Sequence, residues 1–308
     1  MYQNPLSPAV PPRPGGWSAP DWLSPSRPSA GAEPSRGLAS TDARLLGPLG
    51  EHQVLTTGHL VALTGLPERT VQHRLGRLDR AGLLNRLRPQ VPIGTAPYHC
   101  WLTTFGAAAV GADAPESWDQ DPASLRAAAA LSDLWLGVRD RGPEMGLELC
   151  DWRRLPTGAS FRDSRTGTLR EVPVEGALSV TRGAEVVSAF VLTRVEQMPP
   201  ARLVAILGRF AGYLATLPGT TCWPMLLVLA RTERMASTVR SACGQVPDAA
   251  AARHLNSRTV DAAIRRVAAG VIEPRPAGLV TEAVWHTATG DHEYRLAEIL
   301  TSTAWGSR

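Results

Sequence analysis

The chain has 308 residues with 32 basic and 28 acidic side chains, and every one of the 32 is arginine. Without lysine, chemistries that need its amine are excluded: the P-loop phosphate grip, Schiff-base catalysis, Ser-Lys hydrolysis and protein phosphorylation. An apolar content of 44% with 19% charged residues describes globular protein, long enough for about two domains.

Residues 1–40 hold nine prolines among Ser, Gly and Ala and no apolar period. Such a segment cannot bury enough surface to offset its ordering entropy, so a disordered tail is expected. Trp17 and Trp22 within it form an aromatic pair able to dock a protein partner; incidental hydrophobes are the plainer reading. Order is expected from residue 41, with Thr41 capping a helix over Ala43–Leu49. Thr56-Thr57 opens a second helix that stops at Gly65, and Leu66-Pro67-Glu68 starts a third, running to Leu84. In the third helix Val71, Leu75 and Leu78 repeat at helical spacing and Gly82 marks its end. Asn85–Arg88 and Tyr98–Leu102 read as a hairpin, and Thr103 opens an alanine-rich helix to Val110. Three helices followed by a hairpin is the order of a winged helix-turn-helix domain, here 41–112.

After an Asp/Gly/Pro-rich linker (Gly111–Pro122), a helix over Ala123–Arg139 begins a second, α/β domain at 123–304. Its predicted strands are Gly146–Asp151, Gly176–Val180, Val186–Thr193, Met225–Leu229 and Leu279–His286. Its predicted helices are Pro200–Leu217, Met235–Ser241, Ser257–Ala269 and Tyr294–Leu300. The face Leu203/Leu207/Phe210/Leu214 is expected to be core rather than an oligomer interface. Cys100, Cys150, Cys222 and Cys243 make no CxxC pair, which argues for reduced thiols rather than a zinc ribbon or a disulfide framework. The longest apolar run, Cys222–Ala230, is too short to span a bilayer. No secretory signal is visible, so a cytoplasmic, non-membrane protein is expected.

Charge is concentrated. Between Pro67 and Arg88 stand Arg69, Arg74, Arg77, Arg80, Arg86 and Arg88 against Glu68 and Asp79, which accounts for the whole net charge of +4. With Val71, Leu75 and Leu78 turned inward, Arg69, Thr70, Gln72, His73, Gly76 and Arg77 fall on the outer face or its edges, and Arg74 and Arg80 join the side chains of this set as DNA-binding candidates. Arg pairs with guanine and Gln with adenine in the major groove, while Arg86 and Arg88 on the wing are placed for phosphates or a narrow minor groove. Gly76 is expected to leave room for the duplex. A solvated charged face, or a winged helix used only for protein contacts, are the alternatives.

The stretch LTTGHLVALTGLPERTVQHRLGRLDRAGLL, then Tyr98–Leu102 and TTFGA, continued by MPPARLVAILGRFAGYL and the ending Val284-Trp285 with Tyr294-Arg295-Leu296, resembles the actinobacterial replication-relaxation family over roughly residues 42–300. The resemblance implies an α+β architecture: a winged helix followed by a restriction-endonuclease-like domain, in a protein of plasmid or mobile-element replication, transfer or transcription regulation. It also implies an acidic metal site with a lysine, and that pattern is broken here. Glu148 matches the first acid, and Glu175 is displaced by one from the Pro-Asp position. Glu196 lies beyond the strand that should carry an acidic pair, and Ile206 stands near the lysine position.

The resulting expectation is a nucleoid-associated protein that binds double-stranded DNA without catalysis, metal or cofactor. Its second domain would act as a degenerate nuclease fold serving homodimer or partner contacts. The alternatives are a metal-dependent nuclease using Glu148, Glu175 and Glu196, and an adaptor docking through its tail. His286, Asp291, His292 and Glu293 are a further metal candidate, with a polar turn as the plainer reading.

Overall fold

Several helices of this protein start at side chains that accept the otherwise orphaned first backbone N–H groups. Thr56 accepts from His59 N, Thr103 from Gly106 N, Asp121 from Ser124 N and Asn256 from Arg258 N. The structure, a computed structural model, describes residues 39–301 except 90–95, 114–120, 156, 164–165, 184, 218–222, 252–254, 273–279, 281, 283 and 289–291. Trp17, Trp22, Cys222 and Asp291 therefore lie outside the described residues, as does most of the Pro-rich arm.

The first unit runs α1 (Ser40–His52), β1 (Leu55–Thr56), α2 (Thr57–Thr64), α3 (Glu68–Arg80), β2 (Leu84–Leu87), β3 (His99–Leu102) and α4 (Thr104–Val110). Its three strands lie in the order β1-β3-β2, all antiparallel. Leu45, Leu49, Leu60, Val71, Leu75, Leu78 and Leu102 form one core beneath them. The predicted helices are present, with three corrections. Thr41 is not the cap of α1: the helix starts at Ser40 from Ala39, which makes no side-chain cap bond. Helix α3 ends at Arg80, not Leu84, because the chain reverses at Gly82 with φ +71°, a value suited to glycine, and Leu84 opens β2. The two-residue strand β1 is an addition.

The second unit begins with α5 (Pro122–Arg141), followed by β4 (Glu148–Arg154), the hairpin β5 (Ala159–Arg162) and β6 (Leu169–Val172), β7 (Gly176–Arg182) and β8 (Glu185–Leu192). Then come α6 (Pro200–Leu214), β9 (Met225–Ala230), α7 (Glu233–Ala251), α8 (Ser257–Arg265), β10 (Val267–Val271), β11 (Trp285–Thr287), β12 (Glu293–Tyr294) and α9 (Leu296–Thr301). Seven strands make one open sheet, β12-β11-β10-β9-β8-β7-β4. β8, β9 and β10 are parallel; the strands flanking them are antiparallel. Mixed α+β is thus the architecture.

Alternate residues of the central strands feed opposite faces. Leu226, Val228 and Ala230 pack under α6, α7 and α8, while Met225, Leu227 and Leu229 face α5 and α9. Leu203, Leu207, Phe210 and Leu214 are buried in the first of these cores, as expected, and so are not an exposed interface. Residues 267–271 form strand β10 rather than the end of a helix, and residues 293–294 are a strand preceding α9. The last predicted strand starts only at Trp285, and Val280 is helical. Cys100 and Cys243 are buried free thiols, pushed up to about 12 by burial; Cys150 is free and exposed. No described helix is long and apolar enough to cross a membrane.

Helix α5 joins the two units. Leu125 and Ala128 pack with Val54 and Trp101 of the first unit, while Ala130, Leu131, Leu134 and Val138 pack on the sheet. Polar ties reinforce the seam: Ser132 Oγ donates to Val54 O at 3.0 Å, and His52 stacks on Trp135 at 4.0 Å between ring centroids.

Two consequences are measurable. A Cβ on Gly106 would lie 1.7 Å from the Leu83 carbonyl oxygen, so Gly106→Ala must push α4 off the β2 turn. A loss of roughly 2 kcal/mol or more is expected in chemical denaturation; an unchanged midpoint would refute this close packing. The second concerns His52, whose pKa is lowered to about 3, by burial first and then by Arg154. The unfolded chain takes up this proton near the ordinary value of about 6.5 and the folded one does not. The stability held above pH 6.5 should therefore decline as pH falls, with this group contributing up to about 1.4 kcal/mol per pH unit between roughly pH 6 and 4. Urea titrations of His52→Phe, which keeps a ring against Trp135, should show a shallower decline than wild type; parallel curves would exclude His52 as the cause.

Candidate nucleic-acid interface

Helix α3 buries Val71, Leu75 and Leu78 at 0%, 1% and 3% exposure. The i, i+4, i+7 spacing that buries them turns Arg69, Gln72, His73, Arg77 and Arg80 to solvent and leaves Thr70 and Arg74 half-buried. Above the N-terminal half of this face lies a groove of about 330 Å³ whose walls include Arg69, Gln72, His73, Arg86 and Tyr98. Gln72 Nε2 donates to Glu68 Oε1 at 2.8 Å, holding the amide along the helix. Among the described residues Arg69 and His73 make no side-chain hydrogen bond or ion pair.

The remaining arginines do more internal work than the sequence implied. Asp42, on α1 and only 4% exposed, accepts from Arg74 Nη1 at 2.9 Å and from Arg77 Nη2 at 2.5 Å. Arg74 is thereby turned toward α1, away from the role of a free base reader. Arg77 remains half-exposed while paired. Arg80 Nε donates to Gly76 O one turn back.

Arg86 on β2 donates to Asp79 Oδ2 at 2.8 Å and lies 4.9 Å from the Tyr98 ring centroid. Arg88 sits closer over the same ring, at 4.2 Å. Two guanidiniums thus lie against one tyrosine ring, each within reach of a cation–π contact. Gly76 does not open a path for a duplex, because the Arg86 guanidinium fills the space 3.5 Å from where its Cβ would stand. Asp42, which clamps two of these arginines, and Tyr98, which lines the groove, are the residues of this surface that pattern reading missed. Only Tyr98 carried a sequence signal, as an aromatic on the strand facing two arginines.

In the second unit the three candidate acids are not brought together. Glu148 pairs with Thr181 at one end of β7, while Gly176, next to Glu175, pairs with Arg154 at the other. Five residues of extended chain separate these rungs, on the order of 17 Å at about 3.4 Å per residue. Glu175 Oε2 accepts from Thr193 N at 2.8 Å, and burial raises its pKa against the opposing pull of that bond and of Arg194 and Arg154. Glu196 stands 3.9 Å from Arg231. Ile206, at the expected lysine position, is 2% exposed and belongs to the core under α6.

The C-terminal candidate is likewise rearranged. His286 and Glu293 are cross-strand partners and meet Glu233 of α7, with His286 Nε2 3.2 Å from Glu233 Oε1. Their ligand atoms lie within 4.8 Å of one another, and His292 is not part of the group. The two glutamates are exposed, and His286 Nδ1 is buried without a partner among the described residues. A metal-bound histidine ordinarily anchors its other ring nitrogen, so the donor set fits a metal poorly.

The Asp42 clamp is testable by a double-mutant cycle. Asp42→Ala should cost roughly 1.5–3 kcal/mol, the range for hydrogen bonds to charged groups. Its coupling to Arg74→Ala in urea denaturation should exceed about 0.5 kcal/mol; additive effects would mean that the clamp holds nothing in place.

No curated protein and no solved structure matches the chain. A family model described as Replication-relaxation matches residues 46–170, from within α1 to the second strand of the β5–β6 hairpin. The match takes in the α3 groove, the seam and α5, and stops well short of residue 300. Over residues 46–170 the chain is thus similar to the replication-relaxation family.

Proposed function

We propose that the protein binds duplex DNA through the outer face of α3, in a role in the replication or relaxation of a plasmid or other mobile element. One observation carries the reading. Arg69, Gln72 and His73, near the start of an exposed helix, line the same groove as Arg86 and Tyr98 of the adjoining hairpin. A recognition helix needs base-edge readers in its N-terminal part with phosphate contacts around them, and this arrangement supplies both. The element order of the first unit is read as a winged helix-turn-helix, with β2 and β3 as the wing.

Within this proposal the nine residues take different parts. Arg69, Gln72 and His73 read bases, with Thr70 at the edge of the face. Arg77, Arg80 and Arg88, all exposed, neutralise phosphates. Arg74 and Arg86 brace the helix and the wing through Asp42 and Asp79. The second unit is proposed to be a non-catalytic scaffold. The separation of Glu148 from Glu175 along β7 and the burial of Ile206 support that assignment. A cytoplasmic, nucleoid-associated location and contacts with a second copy or a partner belong to the same proposal.

Fluorescence anisotropy on duplex DNA tests it. Arg69→Ala with His73→Ala changes only exposed side chains and should weaken binding at least tenfold near physiological salt. The slope of log affinity against log salt should fall by about one for the lost arginine. Equal affinity and slope for wild type and variant would refute the assignment of α3.

A further inference from the structure

Arg126 of α5, Arg194 after β8 and Arg231 after β9 converge on one pocket of about 250 Å³. The pocket lies at the carboxyl ends of the parallel strands β8, β9 and β10, the place where open α/β sheets hold ligands. Thr56 and His99 of the first unit close its far side. Its size is close to the roughly 300 Å³ lower end of small-ligand sites.

The pocket's charges are only partly compensated from within. Of its two carboxylates, Asp133 is engaged by His59: Nδ1 of that ring accepts from Thr56 N, so Nε2 carries the proton and donates to Asp133 at 2.6 Å. Glu196 faces Arg231 at 3.9 Å. Beneath the floor, Glu175 accepts from Thr193 N, and Arg154, lowered to about 10 by burial, lies beside it. Two guanidiniums are left over. Arg126 Nε is shut off from water and has no hydrogen-bond partner among the described residues. Arg194 makes no hydrogen bond or ion pair among them. Both guanidiniums line the pocket with no carboxylate paired to them among the described residues, so an oxyanion entering it would meet uncompensated positive charge.

We infer that this pocket between the units is an oxyanion site that takes a phosphate group, with Arg126 and Arg194 as the principal donors and Arg231 at its edge. The planar fork of arginine suits a tetrahedral oxyanion with several equivalent oxygens. The pocket and the α3 groove stand back to back. Thr57 and Tyr98 line the groove, and their chain neighbours Thr56 and His99 line the pocket. The phosphate therefore has two sources: a backbone phosphate of a nucleic acid reaching round from α3, or a free phosphorylated small molecule. The inference rests on the pocket and stands whether or not α3 binds DNA.

The test uses the full chain, its Arg126→Gln and Arg194→Gln variants, and Arg209→Gln, which removes an exposed arginine from α6. Inorganic phosphate and thymidine monophosphate are titrated by thermal shift and calorimetry, against chloride at equal ionic strength; duplex DNA is titrated by anisotropy. Saturable stabilisation of several degrees by the small probes, weakened at least tenfold in both pocket variants but not in Arg209→Gln, supports the site and a free phosphorylated ligand. A response to duplex DNA alone, weakened at least tenfold in the same two variants, supports the site and a backbone phosphate. Phosphate binding without duplex binding sustains the pocket while refuting the DNA reading of α3. Arg194 is exposed, so its variant reads the site even if Arg126→Gln folds poorly. No response beyond chloride to any probe, or equal responses in wild type and both pocket variants, overturns the inference.

Discussion

Helix α5 belongs to two cores at once, and the placement of every functional feature depends on that double burial. Leu125 and Ala128 are committed to the first unit, and Leu131, Leu134 and Val138 to the sheet. Neither set can turn away without exposing the other, because positions on a helix move together. The hydroxyl of Ser132 and the carboxylate of Asp133 fix the register further by bonding Val54 O and His59. His59 serves three groups in this way: its backbone N–H completes the Thr56 cap, its Nδ1 accepts the Thr56 N–H, and its Nε2–H reaches across the seam. The distance from the α3 groove to the arginine pocket is consequently set by packing rather than by a flexible linker.

Charge on the first unit is spent in two ways that a count cannot separate. Asp42 and Asp79 bind Arg74, Arg77 and Arg86, so part of the positive excess stiffens α3 against α1 and the hairpin. The exposed Arg69, Arg80 and Arg88 remain available at the surface. On the proposed reading this stiffness favours binding, since side chains already ordered lose less entropy when a ligand arrives. In a chain without lysine, each such contact also has the planar, multidentate geometry that arginine provides.

Much of the first unit was legible because its signals are local. Thr56 and Thr103 before apolar periods, glycines at Gly65 and Gly111 with φ +65° and +68°, and the Val71/Leu75/Leu78 spacing each act within one or two turns. What escaped is non-local or short. β1 has two residues and exists only because β3 pairs with it. Val267–Val271 reads as helix by its alanines, yet the parallel ladder with β9 holds it as strand, with Gly270 lying where a Cβ would meet the Trp285 ring at 2.9 Å. Of the candidate site residues, the exposed face of α3 followed from periodicity. The Asp42 clamp joins residues more than thirty positions apart, and the Arg126–Arg194–Arg231 pocket draws on three distant segments; no spacing rule reaches either. The acids Glu148 and Glu175 show the converse, residues grouped by pattern that the β7 ladder holds apart.

The central claim is that the start of α3 and the adjoining hairpin form the surface that meets DNA. Hydrogen–deuterium exchange of the full chain, with and without saturating duplex, tests it most directly. The account predicts slowed exchange concentrated in residues 68–80 and in β2 and β3, with the sheet strands β9 and β10 unchanged. Protection confined to the second unit, with α3 exchanging as in the free protein, would contradict it.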